Sequence, residues 1–118
     1  MAGHNELGQM GEELAAAYYQ QRKHEIIEQN WRNGHLELDL VTLHNGVLHF
    51  VEVKTRSGKQ FGYPEMGVTK TKFRHLAGAA ASYLRMHGQY KRVQFDILSI
   101  NINGEKKEYF LIEDVFFN

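Results

Sequence analysis

Two stretches decide the fold of this chain: LELDLV at residues 36–41 and FVEVKTR at residues 50–56. Both have the apolar alternation of β-strands, yet each carries acidic residues, which strand interiors disfavour. Between them, Asn45-Gly46 is a strong signal for a two-residue type I′ hairpin turn. The sequence therefore predicts an antiparallel hairpin whose acids need a compensating partner, and a metal ion is the most economical candidate.

The predicted turn also fixes the register of the hairpin. Counting outward from the turn places Asp39 opposite Glu52. Two residues farther along each strand, Glu37 faces Lys54, and strand alternation puts all four side chains on one face. Opposed carboxylates, with Cβ atoms roughly 5 Å apart, destabilise a sheet when no cation lies between them. The Asp39–Glu52 pair is therefore suited to share Mg²⁺ or Mn²⁺, hard cations that bind through oxygen.

Composition limits the classes of protein to be considered. At 118 residues, one domain spanning residues 1–118 is expected. No apolar run approaches the roughly 18 residues that cross a membrane, the N-terminus lacks a signal-peptide pattern, and cysteine is absent. These features favour a cytoplasmic protein that does not enter a membrane. Fourteen basic and fourteen acidic residues balance, so net charge does not support nucleic-acid binding.

The rest of the chain predicts an α/β fold. Apolar residues at helical spacing predict helices over about residues 5–22 and 69–87, with Thr69 as an N-cap. Further strands are predicted near residues 24–31 and 92–102, and a last element near 109–115. Apolar residues on both sheet faces call for helices on both sides. We therefore expect a three-layer domain, with a central mixed sheet of four or five strands flanked by helices.

The acids and the lysine of the hairpin indicate metal-assisted hydrolysis of phosphodiester bonds. In such sites carboxylates hold one or two cations that polarise the phosphate and activate water. Lys54 lies one pleat from Glu52 on the same face, where it can orient or deprotonate that water or stabilise charge on the phosphate. An ordinary ion-pair ladder, in which Lys54 balances Glu37 across the strands, is the alternative.

A family resemblance rests on these residues. Asp39 followed by Glu52-Val53-Lys54 resembles the PD-(D/E)xK motif of restriction-endonuclease-like nucleases. The chain more closely resembles the YraN family (UPF0102), which is similar in fold to archaeal Holliday-junction resolvases. The matching segments are Gly8-x-x-Gly11-Glu12-x-x-Ala15, Asn30-Trp31-Arg32, Glu37-x-Asp39-Leu40, Phe50 to Arg56, Phe61-Gly62, Val68-Thr69, Lys72 and Phe95-Asp96. The chain departs from the family at Leu36, commonly glycine, and at Gln94, commonly arginine.

The resemblance implies a restriction-endonuclease-like fold and a metal-dependent DNA endonuclease, with branched or junction DNA as a possible substrate. It implies that Glu12, Asp39, Glu52 and Lys54 form the active site. Metal would be bound by Asp39 and Glu52 with help from Glu12 and Glu37. Many nucleases of this fold are dimers, so a homodimer is left open.

The sequence allows two interpretations of Glu12, as a solvated surface acid or as a functional one. The predicted buried stripe of the first helix consists of Leu7, Met10, Leu14, Ala17 and Tyr18. Glu12 lies almost opposite this stripe, where a solvated acid is usual. The residues around it on the helix surface are uncharged and mostly small: Gly8, Ala15, Ala16 and Tyr19. That face can therefore pack against other structure, and the resemblance favours a functional Glu12, with Glu13 as the fallback.

Several side chains are candidates for contacts with nucleic acid. The basic candidates, which would fix position by contacting phosphates, are Arg56, Lys59, Lys70, Lys72, Arg74 and Arg85. A solvated helix face is the alternative for most of them, whereas alternation places Arg56 on the Glu52–Lys54 face. Phe61 and Tyr63 either stack on an unpaired base or anchor their glycine-rich loop.

Other kinds of function receive less support. The seven histidines form no i, i+4 pair and no HExxH pattern, so we expect scattered surface or turn residues rather than a zinc site. Two alternatives to a nuclease stay open. One is a non-catalytic nucleic-acid-binding module that retains the nuclease fold. The other is a small interaction domain whose acids only form ion pairs.

Overall fold

The computed structural model describes residues 6–58 and 70–115, and in this part the chain alternates helices with strands. The elements are α1 (Glu6–Gln21), β1 (Glu25–Asn33), β2 (Leu36–His44), β3 (Val47–Ser57), α2 (Lys70–Met86), β4 (Val93–Asn103) and β5 (Lys106–Ile112). These bounds agree with the predicted ones to within a few residues. Neither of the described helices is long and apolar enough to cross a membrane. The predicted cap Thr69 and the candidates Lys59, Phe61 and Tyr63 lie outside the described residues.

The strands form one five-stranded sheet in the order β1-β2-β3-β4-β5. The contacts β1–β2, β2–β3 and β4–β5 are antiparallel, whereas β3 and β4 are parallel. Helix α2 lies between these two strands in the chain, because parallel neighbours need a long crossover connection. The predicted mixed sheet is confirmed.

The two faces of the sheet support separate hydrophobic cores. Helix α1 covers one face, in a core of Ala15, Ala16, Tyr19, Leu40, Val51, Leu98, Ile100 and Ile102. Helix α2 covers the other, in a core of Leu38, Val41, Leu48, Phe50, Leu76, Ala79, Ala80 and Tyr83. The three-layer α/β architecture predicted from apolar residues on both sheet faces is therefore confirmed.

Helix α1 buries a different stripe from the predicted one. Its buried residues are Gly11, Ala15, Ala16 and Tyr19, whereas Met10 is 44% exposed. Small residues occupy the buried face because the helix lies very close to β3. A Cβ atom on Gly11 would collide with the Thr55 side chain. The predicted stripe was wrong for the exposed Met10 and Ala17, whereas its other members pack, partly buried, against this core: Leu7, Leu14 and Tyr18. The small face next to Glu12 is the one that is fully buried against the sheet.

The β2–β3 hairpin has the predicted turn and register near its tip. Asn45 and Gly46 have φ angles of 51° and 78°, as a type I′ turn requires. Strand pairing then runs from His44–Val47 to Leu40–Val51.

Beyond Leu40–Val51 the two strands separate. Strand β2 stays paired with β1, with Glu37 opposite Arg32, while β3 stays paired with β4, with Lys54 beside Ser99. The predicted direct pairs Asp39–Glu52 and Glu37–Lys54 are therefore wrong. Glu37, Asp39 and Glu52 line one cleft beside the point where the two strands separate.

Candidate functional site

Asp39 lies at the point where β2 and β3 separate. Its Oδ2 accepts a hydrogen bond from the Val53 N–H at 2.9 Å, in place of a backbone bond between the strands. Leu38 and Val41 belong to the α2 core, whereas Leu40 belongs to the α1 core, so β2 departs from strict two-residue alternation here. The Asp39 carboxylate is thus anchored to the backbone of β3.

The environment of Asp39 opposes its ionisation. Burial is the largest cause and the negative charge of Glu52 the next, and together they raise the pKa of Asp39 to about 7. The charges of Glu12 and Glu37 add to the shift, while the hydrogen bond from Val53 opposes it. The three glutamates predicted for the site are therefore close enough to act on Asp39, and they concentrate negative charge around a buried carboxyl group.

Lys54 and Lys72 approach these acids from different elements. Burial lowers the pKa of Lys54 below its usual range, and the adjacent Lys72 lowers it further, while the charges of Glu52 and Asp39 oppose the shift. Lys72 lies in the first turn of α2, with its Nζ 3.9 Å from Glu52 Oε2. Lys72 was predicted only as a phosphate contact, and its position among the acids comes from the packing of α2.

A cleft of about 320 Å³ opens beside these groups. It is lined by His35, Leu36, Glu37, Asp39, Glu52, Lys72, His75 and Leu76. Sequence reasoning missed His35 and His75. The spacing of Lys72, His75 and buried Leu76 on one helix face was the signal that could have located Lys72 and His75.

The two remaining predicted acids lie at the margins of the site. Glu12 is half-buried and lines a neighbouring groove of about 400 Å³ between α1 and β1, together with Gln29 and Asn30. Glu37 forms an ion pair with Arg32 at 3.4 Å. The alternative ion-pair ladder between Glu37 and Lys54 is therefore contradicted, because each side chain has a different neighbour.

The predicted nucleic-acid contacts are not gathered in one place. Arg56 is half-buried on β3, two residues beyond Lys54 and beside Asn101 of β4. Lys70, Arg74 and Arg85 are exposed on α2 and do not line the cleft. Apart from Lys72, these residues are thus on the margins of the site or on the solvated face of α2.

The predicted metal ligands supply oxygen atoms, the ligand type that hard divalent cations prefer. Asp39 and Glu52 provide carboxylate oxygens in an environment with excess negative charge. Within residues 6–58 and 70–115, no three Asp, Glu or His side chains are arranged to hold an ion together. The protein would thus offer two carboxylates and leave positions for water and phosphate, as Mg²⁺ sites with phosphate substrates do.

A second polar cluster lies at the turn end of the hairpin. Asp96 is 1% exposed and accepts hydrogen bonds from Tyr19 OH, His49 Nδ1–H and Gln94 Nε2–H at 3.0, 2.8 and 2.9 Å. The ring of His24 stacks on that of His44, with centroids 4.3 Å apart. The prediction of scattered surface histidines was wrong for the buried His49. This cluster joins α1, β3 and β4.

Fold and site together define a three-layer α/β protein with a carboxylate–lysine site where its strands β2 and β3 separate. The chain belongs to the family described as "Uncharacterised protein family UPF0102", whose model matches residues 11–100. This confirms the resemblance found in the sequence motifs.

Relatives from distant bacteria match most of the chain. A UPF0102 protein of Bacteroides fragilis is 43% identical over 100 residues, which cover 85% of this chain and 83% of the relative. One of Phocaeicola vulgatus is 41% identical over 119 residues, covering 99% and 97%. One of Rhodococcus jostii is 39% identical over 118 residues, covering 98% and 100%. Family membership thus extends over the whole site, while the chemistry must be argued from the site itself.

Proposed function

We propose that this protein is a Mg²⁺- or Mn²⁺-dependent endonuclease that hydrolyses phosphodiester bonds of DNA. The observation that carries the proposal is the juxtaposition of Asp39 with Glu52 in a buried setting: burial first, and then the charge of Glu52, raise the pKa of Asp39 to about 7. Carboxylates in this condition are costly in the empty protein and become favourable once a cation neutralises them. The resemblance of Asp39, Glu52 and Lys54 to the PD-(D/E)xK motif supports the same assignment.

Each side chain has a definable part in this chemistry. Asp39 and Glu52 would hold the cation, which when bound polarises the phosphate and lowers the pKa of a water molecule. Lys54 stabilises the negative charge that develops on the phosphate oxygens. Because burial and Lys72 lower the pKa of Lys54, it is also better able than an ordinary lysine to accept a proton from the attacking water.

The remaining charged residues contribute to binding: the acids to binding of the cation, and the basic residues to binding of DNA. Glu12 and Glu37 add negative charge around Asp39 and so strengthen attraction of the cation. Exposed Lys70 and Arg74 on α2 contact phosphates outside the cleft, which positions the substrate without reading its sequence. Branched or junction DNA is the proposed form, from the likeness to junction resolvases, and a homodimer would present two sites to two strands.

The test is cleavage of branched, flapped and single-stranded DNA with Mg²⁺ or Mn²⁺. Asp39→Ala and Lys54→Ala should each lower the rate by about 100-fold or more, because each removes a group acting on the reacting phosphate. Glu105→Ala, in the exposed turn between β4 and β5, is the matched control and should retain full activity. Activity that survives both site substitutions would reject the assigned site.

A second candidate is a non-catalytic nucleic-acid-binding module. It is favoured by the finding that, in the described part of the chain, no three acidic or histidine side chains converge on one ion position. This candidate requires DNA binding that falls steeply with salt, no metal-dependent cleavage, and little effect of Lys54→Ala. Parallel binding and cleavage assays on the same DNA separate the two candidates.

A further inference from the structure

Lys72 lies between helix α2 and the acids of β3. It lines the same cleft as Asp39 and Glu52, and its Nζ is 3.9 Å from Glu52 Oε2. The Lys72 side chain is 54% exposed, so the ion pair borders solvent. Ion pairs of this length and exposure contribute little to stability. Lys72 can therefore exchange Glu52 for another anionic partner at small cost.

Lys54, on strand β3, is a neighbour of Lys72. The two side chains are close enough for Lys72 to lower the pKa of Lys54, and both are near the charge of Glu52. Neighbouring ammonium groups repel, and the charges of Glu52 and Asp39 offset the effect of that repulsion on Lys54 only in part. A phosphodiester has two non-bridging oxygens that share one negative charge, so it can accept a charge-assisted hydrogen bond from each lysine. The lysine pair is thus a ready place for a phosphate beside the acids.

We propose that Lys72 exchanges partners during binding: it neutralises Glu52 in the metal-free protein and binds the substrate phosphate once Glu52 has taken up a divalent cation. This inference rests on the proposed function, because it assigns Lys72 to the same acidic site. Occupation of Glu52 by a cation displaces Lys72 toward the phosphate, and a phosphate held by Lys72 leaves Glu52 to the cation. Cation and DNA binding strengthen each other, and the coupling is reciprocal.

Lys70 and Arg74 provide controls on the same helix. Two residues along an α-helix rotate the side chain by about 200°, so both leave α2 on the side away from Lys72. Both are exposed, and neither lines the cleft. Lys70→Met thus removes the same charge from the same helical turn as Lys72→Met, without altering the surroundings of Glu52.

The experiment measures binding of Mn²⁺ and of a short branched DNA, separately and together. Titration calorimetry gives the Mn²⁺ affinity and fluorescence anisotropy the DNA affinity, with a Ca²⁺ series run in parallel and DNA integrity checked on gels. Without DNA, Lys72→Met should bind Mn²⁺ about two- to five-fold more tightly, because a competing surface cation is gone. The factor by which Mn²⁺ strengthens DNA binding should shrink by a similar amount.

The control variants should behave differently. Lys70→Met should weaken DNA binding by the same factor with and without Mn²⁺ and leave the Mn²⁺ affinity unchanged. Lys72→Arg keeps the positive charge and should retain most of the coupling. Since the Lys72 side chain is half exposed, its substitution should leave the melting temperature in EDTA close to that of wild type.

The inference is overturned if Lys72→Met follows the pattern expected for Lys70→Met, or if Mn²⁺ affinity does not rise. Coupling that depends on Lys72 in a protein that cleaves no DNA would refute the nuclease proposal and support the role of Lys72. Efficient cleavage by the wild-type protein, together with unaltered coupling between Mn²⁺ and DNA binding in Lys72→Met, would support the nuclease proposal and refute the role of Lys72. A wild-type protein that binds neither Mn²⁺ nor DNA would reject both.

Discussion

Asp96 on β4 and Asp39 on β2 are buried carboxylates of the same sheet, and their surroundings act in opposite directions. At Asp96, burial by itself would raise the pKa, but hydrogen bonds from His49, Gln94 and the Asp114 N–H hold it below its ordinary value. At Asp39, burial and the charge of Glu52 prevail and raise the pKa to about 7. Depth of burial therefore does not by itself decide in which direction the pKa of a carboxyl group moves.

The number of hydrogen-bond donors accounts for the difference. Asp96 receives bonds from three side chains and from the Asp114 N–H at 3.2 Å, so both of its oxygens are used. Asp39 receives a bond from Val53 N–H, and its nearest strong electrostatic neighbour is another acid. A carboxylate accepts about four hydrogen bonds in full. Asp39 thus retains acceptor capacity, which a cation can use.

The largest expected effect is on stability and compares matched asparagine substitutions. In Asp96→Asn either orientation of the amide sets an NH₂ group against two donors, because each carboxylate oxygen accepts two bonds. We expect a loss of about 3 kcal/mol or more in the free energy of unfolding. Asp39→Asn can keep the Val53 bond and removes repulsion from Glu52, so stability in EDTA should be unchanged or higher.

Urea unfolding in EDTA measures both variants. A large loss for Asp39→Asn together with a small one for Asp96→Asn would reverse the comparison. It would make Asp39 a structural residue and leave the metal hypothesis without its main support.

The next effect is stabilisation by a divalent cation. Because the cation binds the folded site and not the unfolded chain, Mn²⁺ at about 100 times its dissociation constant should add about 2.7 kcal/mol. Thermal melts should show this shift for wild type and lose it for Asp39→Ala. His49→Gln, at the other end of the hairpin, should lower the melting temperature yet keep the Mn²⁺-dependent rise.

Equal Mn²⁺ shifts in wild type and Asp39→Ala would place the cation elsewhere. Absence of any shift would instead favour the interaction domain whose acids only form ion pairs.

Local sequence signals predicted the hairpin and the identity of its acids. Asn45-Gly46 fixes the turn, and alternation from it correctly gave the pairing as far as Leu40–Val51. The separation beyond that point was not predictable from turn chemistry and alternation, because the Val53 N–H is donated to the Asp39 side chain in place of a backbone carbonyl. The acids still come close, held by the bond from Val53 to Asp39 rather than by strand pairing.

Contacts between distant elements explain the other errors. The buried face of α1 is set by the approach of Gly11 to Thr55 on β3, which hydrophobic periodicity does not register. The bond between His49 and Asp96 joins residues 47 positions apart, so neither side chain was marked by its local pattern. Lys72 enters the site for the same reason, since the sequence shows a basic helix without showing where that helix lies.

A smaller effect is the pH dependence of cation binding. The pKa of Asp39 is raised to about 7, so a proton competes with the cation below that value. Mn²⁺ affinity should fall by about tenfold per pH unit below pH 7, as measured by calorimetry in buffers from pH 5 to 8. In the metal-free protein the sign is also defined: stability should fall as pH rises from about 4 to about 7, because only the unfolded chain ionises Asp39 readily.

Asp39→Asn is the control for this dependence. The variant should bind Mn²⁺ weakly and lose most of the change in affinity between pH 5 and pH 7. The same steep dependence in wild type and Asp39→Asn would assign the competing proton to another group.

The smallest expected effect is acid sensitivity at the turn end of the hairpin. Burial, and then the neighbouring His49 and His44, lower the pKa of half-buried His24 from 6.5 to about 4. A group with a lowered folded-state pKa stabilises the protein above its unfolded value, and that stability is lost as pH falls from about 6.5 to about 4. Urea unfolding across this window should show a shallower decline for His24→Gln than for wild type, whereas exposed His75→Gln should match wild type. Equal slopes for all three proteins would mean that the histidine stack at the turn end accepts a proton without cost, and that the hydrogen bonds to Asp96 alone hold this end of the hairpin together.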